Sequence, residues 1–148
     1  MSKPATTIET IATSCIAGRL RLLNRVITNV YDEALRPLGV KLSQGNVLAV
    51  TAKLGVARPA EVCGILELDT STLSRTVDRM VENGWLEILP DEDGRSHPFR
   101  LTDQGRRLME QAIPAWENAQ AKARTLLGDD GLRLLDSAIK RIKTSQGQ

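Results

Sequence analysis

Histidine occurs once in this chain of 148 residues, at His97. A lone imidazole excludes the ordinary Ser-His-Asp and Cys-His arrangements of nucleophilic catalysis. Cysteine occurs twice, at Cys15 and Cys63, too few for a disulfide scaffold. Neither thiol stands at metal-ligand spacing with His97. There is no glycine-rich phosphate loop. The acidic run Asp91-Glu92-Asp93 lacks the alternating ligands of a calcium loop and reads as a solvated turn. No enzymatic activity, no metal and no cofactor are therefore expected. Long apolar runs and a signal-like N-terminus are missing too, so the expectation is a soluble cytoplasmic protein without a membrane partner. Internal repeats and low-complexity segments are absent, and the length suits one compact domain with room for a core. A strong charge of one sign is also lacking, since the net charge is +2. Residues 1–42 hold six basic and three acidic residues, residues 43–107 eight and ten, and residues 108–148 six and five. The central segment is thus net −2 (eight minus ten), so a polyanionic partner would have to be bound through where the charges point.

What is present is organised around Asp69 to Thr102. Asp69 is a good helix N-cap, and Gly84 stands where a left-handed residue ends a helix. Between them Leu73, Val77 and Met80 form one apolar stripe. The other faces carry Ser71, Thr72, Ser74, Arg75, Asp78 and Arg79. Short hydroxyls let a backbone approach closely, and arginine reaches a guanine edge or a phosphate, which suits a helix laid in a DNA major groove. Residues Trp85 to Leu89 and Phe99 to Leu101 read as a hairpin turned at Asp93-Gly94, with Arg95 at its tip and within reach of a minor groove. Upstream, Pro59 opens a short helix to Leu66, and Glu67-Leu68-Asp69 is the short link of a helix-turn-helix.

At these residues the chain resembles the MarR family of bacterial transcriptional regulators. The matching pieces are Leu73-Ser-Arg-Thr-Val-Asp-Arg-Met80, Asn83-Gly-Trp-Leu-Glu87, Asp93-Gly-Arg95 and Leu101-Thr-Asp-Gln-Gly105, in the family's order and near its spacing. Many members carry Asp-Arg-Arg at the wing. Gly94 stands in the middle here, which removes one wing contact. The resemblance implies a mainly α fold with a small β-hairpin wing: a winged helix-turn-helix with N- and C-terminal dimerisation helices. The expected organisation is a DNA-binding lobe at 42–102 and a helical dimerisation region at 1–38 and 103–148. The implied function is sequence-specific binding of double-stranded DNA by a homodimer, as a repressor on a pseudo-palindromic operator. Ser71, Thr72, Ser74, Arg75, Arg79 and Arg95 would contact DNA, and Asp78, one turn after Arg75, would pair with an arginine to hold the wing against the helix. The resemblance further implies release by a small aromatic or phenolic acid effector. Its pocket would lie between the dimerisation helices and the DNA-binding lobe, lined in part by Arg19 and Trp85.

The flanks fit this plan. Ile8 to about Arg36 reads as one helix ended by Pro37 and Gly39, with two apolar rows that a domain this size cannot cover alone. Arg19 falls on one row between Cys15 and Leu22, either snorkelling at its edge or meeting a carboxylate or acidic ligand. Cys15 in that row reads first as a packed core residue. The rival is a peroxide sensor, as in some MarR-family members, which needs an accessible thiolate. Those members place tyrosines near the thiol, whereas the single tyrosine here, Tyr31, lies four turns on. Ser43 is a plausible cap for a helix to about Lys53. After the wing, Thr102 caps a helix to about Leu127 that Pro114 interrupts. Gly128-Asp129-Asp130 breaks and restarts it, and Leu132 to Ile142 form a last amphipathic helix. Its basic end, Lys140, Arg141 and Lys143, reads as a solvated helix terminus rather than a DNA contact. Residues 1–6 and 144–148 are expected to fray. The rival outside transcription is a winged helix serving only as a protein-interaction module.

Overall fold

A computed structural model describes Met1 and residues 3–147. The elements in order are α1 (Ile8–Ser14), α2 (Ile16–Leu35), a 3-10 turn (Arg36–Leu38), α3 (Leu42–Leu54), α4 (Pro59–Leu66), α5 (Thr70–Glu82), β1 (Leu86–Ile88), β2 (Phe99–Leu101) and α6 (Asp103–Gln146). The fold is mainly helical, with the two strands paired antiparallel as Leu86 to Leu101, Glu87 to Arg100 and Ile88 to Phe99. Ala57 adds a single bridge to the outer side of Phe99, exchanging hydrogen bonds of 2.8 and 2.9 Å.

One core joins α3, α4, α5, the hairpin and the start of α6. Val47, Leu48, Val62, Leu73, Met80, Leu86 and Phe99 are its most deeply buried side chains. A smaller cluster of Tyr31, Ala119 and Ala123 pins α2 to the middle of α6, where the Tyr31 hydroxyl bonds Gln120 Oε1. Burial of this ring raises the phenol pKa above its ordinary value, with Arg124 opposing the shift.

Five expectations need correction. The first helix is two, because Cys15 adopts extended ψ (φ −63, ψ 117) and breaks the ladder between α1 and α2. Cys15 is also exposed, so packing in a core of this protomer does not occur. α3 begins earlier than a Ser43 cap implies. Lys41 is its N-cap, with Gln44 Oε1 accepting the Lys41 N–H at 3.0 Å and Asp32 Oδ1 on α2 accepting the Leu42 N–H at 2.7 Å. A carboxylate from a distant element has replaced the local hydroxyl. Pro114 does not interrupt α6, whose backbone stays helical there with the ring on an exposed face. The break falls at Gly128 alone (φ 70, ψ 169), a conformation open to glycine. Helix continues past the expected fraying point to Gln146, while Ser2 and Gln148 lie outside the described residues.

No helix among the described residues is long and apolar enough to cross a membrane.

Candidate nucleic-acid interface

Helix α5 is fixed at both ends by its own sequence. Asp69 Oδ1 accepts the Thr72 N–H at 2.7 Å, and Asp69 Oδ2 accepts the Thr72 hydroxyl at 2.8 Å. The hydrogen bond from the Thr72 backbone lowers the Asp69 pKa below its ordinary 3.8, helped by the Thr72 hydroxyl. At the other end Asn83 is the C-cap and Gly84 takes φ 80. The Trp85 N–H returns to Met80 O at 2.9 Å and the Gly84 N–H to Val81 O at 3.0 Å, the paired bonds of a Schellman ending. Leu73, Val77 and Met80 are buried in the core. That orientation turns Ser71, Ser74, Arg75, Asp78 and Arg79 to solvent. Thr72 is the exception among the expected contacts. It is half-buried and its hydroxyl proton is committed to the Asp69 cap.

The helix is bolted to the next element. Thr102 Oγ1 donates to Gly84 O at 2.5 Å and accepts the Gly105 N–H at 3.0 Å, while the Thr102 N–H reaches Trp85 O at 3.1 Å. A Cβ on Gly105 would stand 2.1 Å from Trp85 O, so only glycine lets α6 start this close to the end of α5.

The hairpin stands beside α5. Glu87 and Arg100 form an exposed cross-strand ion pair at 2.5 Å, worth roughly 0–1 kcal/mol. Beyond the strands, Asp91 Oδ2 accepts the Ser96 N–H at 2.9 Å and the Ser96 hydroxyl at 2.7 Å, which closes the loop. Those two bonds, the backbone one first, hold the Asp91 carboxyl below its ordinary 3.8. Arg95 is exposed on this loop. Between α5 and the wing lies an open cleft of about 660 Å³ with Leu73, Val77, Ile88 and Phe99 on its floor and Arg58, Ser74, Asp78 and Arg95 on its walls. The structure thus brings Ser74, Asp78 and Arg95 to one cleft. It does not form the pairing expected of Asp78. The ion pairs among the described residues are Glu87–Arg100 and Asp130–Arg133, and no arginine lies within ion-pair distance of Asp78. Arg58 and Arg95 share the cleft wall with Asp78, yet neither closes to ion-pair distance, and the Asp78 carboxylate is exposed to solvent.

The two residues expected at an effector pocket are apart in character. Trp85 is buried in the core at the α5–α6 joint, and Arg19 is exposed on α2. A second hollow, about 540 Å³, lies at the end of α2 beside Asp32, Glu33, Arg36 and Lys41. Neither Arg19 nor Trp85 lines either cavity. No cluster of metal-binding side chains occurs among the described residues.

Residues 38–96 match the family model described as "MarR family". The multiple antibiotic resistance protein MarR of Salmonella typhimurium is 30% identical over 129 residues, spanning 84% of this chain and 89% of that protein. The chain belongs to the MarR family. A solved structure of mutant MarR from E. coli with operator DNA superimposes at TM-score 0.80 and 23% identity, covering 93% of this chain and 99% of that one, a likeness of fold. The M. tuberculosis regulator MOSR, solved in complex with DNA, matches at TM-score 0.77 and 26% identity, covering 89% of this chain and 98% of that one. This MarR-family chain is a DNA-binding transcription regulator with a winged helix.

Sequence reading missed the hydrogen-bonded set Arg58, Ser96 and Asp91 beside the candidate interface. Arg58 Nη1 donates to Ser96 Oγ at 2.6 Å across a separation of 38 residues. No local pattern announces a contact that distant. The Asp91–Ser96 closure was open to detection, since Asp and Ser in a turn commonly bond nearby backbone.

Proposed function

We propose that two copies of this chain bind a pseudo-palindromic operator in double-stranded DNA, repress transcription there, and are released by a small acidic aromatic ligand. The observation that carries the dimer is the apolar surface of the terminal helices. Ile16, Leu20 and Leu22 on α2 and Leu126, Leu134 and Ile142 on α6 are each more than half exposed in the protomer. Covering one such side chain stabilises by roughly 1.5–3 kcal/mol. Several together offset the ~4–15 kcal/mol lost in association. Residues 1–38 and 103–148 are thus the dimerisation region and 42–102 the DNA-reading lobe, so that two α5 helices address half-sites about one helical turn apart. Within the lobe Arg75 takes a base edge or adjacent phosphate, Ser71, Ser74 and Arg79 support it, Thr72 holds the helix start, and Arg95 reaches the flanking minor groove.

The net charge of residues 43–107 opposes binding. The orientation of α5 favours it, because its cations and hydroxyls lie on the solvent face. Regulation would act by changing the spacing of the two recognition helices. The joint of Gly84, Trp85, Thr102 and Gly105 supports that reading, since it ties α5 to the dimerisation helix α6 without slack. Arg19 would supply the positive charge facing the ligand. Selection of sites from random DNA, followed by a screen of aromatic acids for release, tests the whole reading. Failure to enrich any sequence would sink operator binding and leave a protein-interaction module.

The exposure of Cys15 favours a second reading, a peroxide-sensitive regulator. Against it, α1 and the start of α2 are apolar and would be covered in a dimer. Peroxide release of the protein from DNA, lost in Cys15→Ser, would establish the sensor. Identical behaviour of the two proteins would eliminate it.

A further inference from the structure

The wing must be held in place for Arg95 to meet DNA, and Asp78 does not hold it. A different connection does. Arg58 is the N-cap of α4, with extended backbone (φ −106, ψ 136). Its Nη1 donates to Ser96 Oγ at 2.6 Å, and the same hydroxyl donates to Asp91 Oδ2 at 2.7 Å. One hydroxyl carries one proton and two lone pairs, so Ser96 can accept from the guanidinium and donate to the carboxylate at once. Both links involve an ionised partner, which makes them the stronger kind.

This relay is the wing loop's attachment to the helix-turn-helix. The Leu89 N–H to Pro98 O bond, 2.8 Å, closes the hairpin neck, and the Gly94 N–H to Asp91 O bond, 3.1 Å, lies within the loop. Among the described residues, Arg58 to Ser96 is the one hydrogen bond from residues 91–97 to a residue outside the hairpin. His97, next in the chain, sits at φ 41, a strained value for a side-chain-bearing residue that persists where its surroundings impose it.

We propose that Arg58 is a positioning residue for DNA binding, acting through Ser96 and Asp91 to fix the wing so that Arg95 meets the operator flank. The proposal rests on the DNA-contact role given to Arg95 above. Without the relay, the loop is tethered at its neck alone. Ordering it on DNA then costs conformational entropy for every residue fixed. The guanidinium acts on the wing and leaves base reading to α5.

Ser96→Ala breaks the relay and changes no charge. Operator affinity of the full chain is measured across a salt series for Ser96→Ala and Arg58→Ala, each in the Arg95 and the Arg95→Ala backgrounds. Amide exchange of residues 91–97 and thermal stability are recorded alongside. Ser96→Ala should bind roughly tenfold more weakly, with a salt slope reduced by about one, faster exchange in the loop and an unchanged Tm. In the Arg95→Ala background it should cause no further loss. If Ser96→Ala binds as wild type while Arg58→Ala loses affinity and slope, Arg58 is itself a phosphate contact and the proposal fails. Equal losses with and without Arg95 also overturn it, because the wing is then not the route. Failure of the underlying reading looks different: Arg95→Ala alone would bind as tightly as wild type.

Discussion

Arg75 and Arg95 are exposed on neighbouring surfaces, yet they should fail in different ways when removed. Arg75 projects from the first turns of α5, where a helix in the major groove meets base edges. Arg75→Ala should cost ~1–3 kcal/mol of operator affinity and relax the selected sequence at one position. Arg95→Ala should weaken all sequences alike, reduce the salt slope by about one and diminish A·T preference at the flanks. Gly94 leaves no neighbouring arginine to substitute for Arg95. Filter or fluorescence binding over a salt series checks both, and two variants that bind as wild type would move DNA reading away from this face. Gly105 belongs to the same scale. Its missing Cβ would collide with a backbone oxygen, which cannot swing aside as a side-chain end can. Gly105→Ala should destabilise by ~1–3 kcal/mol in denaturant titration, by overpacking. Wild-type stability in that variant would show that the α5–α6 joint tolerates a shift.

Among the elements, α5 depends most on local chemistry, and its N-cap makes that dependence visible in pH. The Asp69 pKa is lowered on folding, so its carboxylate contributes stability that is fully present above the ordinary 3.8 and is lost as pH falls through the lower folded value. Asp91 in the wing has the same sign. Stability should therefore stay level on account of these two groups from pH 8 to 5 and decline below about 4. Asp69→Asn keeps a good cap and should retain most of the helix while flattening that acid limb. Asp69→Ala loses the cap and should lower Tm by about 2–4 °C at neutral pH. Thermal melts of the three proteins at several pH values decide it; an Ala variant as stable as wild type would mean that tertiary packing alone sets the start of α5. The wing is the opposite kind of element. Its strands are three residues each, and its loop relies on Asp91, Ser96 and Arg58 for position.

The molecule as a whole leaves its terminal helices uncovered. α1 buries none of its residues, and α2 buries Tyr31 and Leu35 near its C-terminal end. Sedimentation at micromolar concentration should give twice the protomer mass, without a folded monomer. Leu20→Asp with Leu134→Asp should dissociate the dimer and abolish operator binding while α5 keeps its caps. A stable monomer of the wild-type chain that binds the operator at full affinity would refute the two-fold arrangement.

The sequence by itself determined what is local. Asp69 and Gly84 mark the ends of α5 because caps act over three or four residues. Leu73, Val77 and Met80 mark its buried face because helical periodicity is a property of the segment. The Gly128 break and the hairpin around Asp93-Gly94 were legible for the same reason. Tertiary structure decided whatever depends on residues far apart in the chain. Asp32 caps α3 from another helix, so Ser43 does not; α6 runs through Pro114 while that ring faces solvent; and Cys15, in an apolar row, breaks a helix and faces solvent. The wing's attachment belongs here too. Asp78 lies near Arg75 in sequence and takes no arginine, whereas Arg58 reaches Ser96 because the core built on Phe99 and Val62 draws the start of α4 beside the hairpin. Periodicity and capping are written in neighbouring residues, but a partner's identity depends on which elements the core brings together.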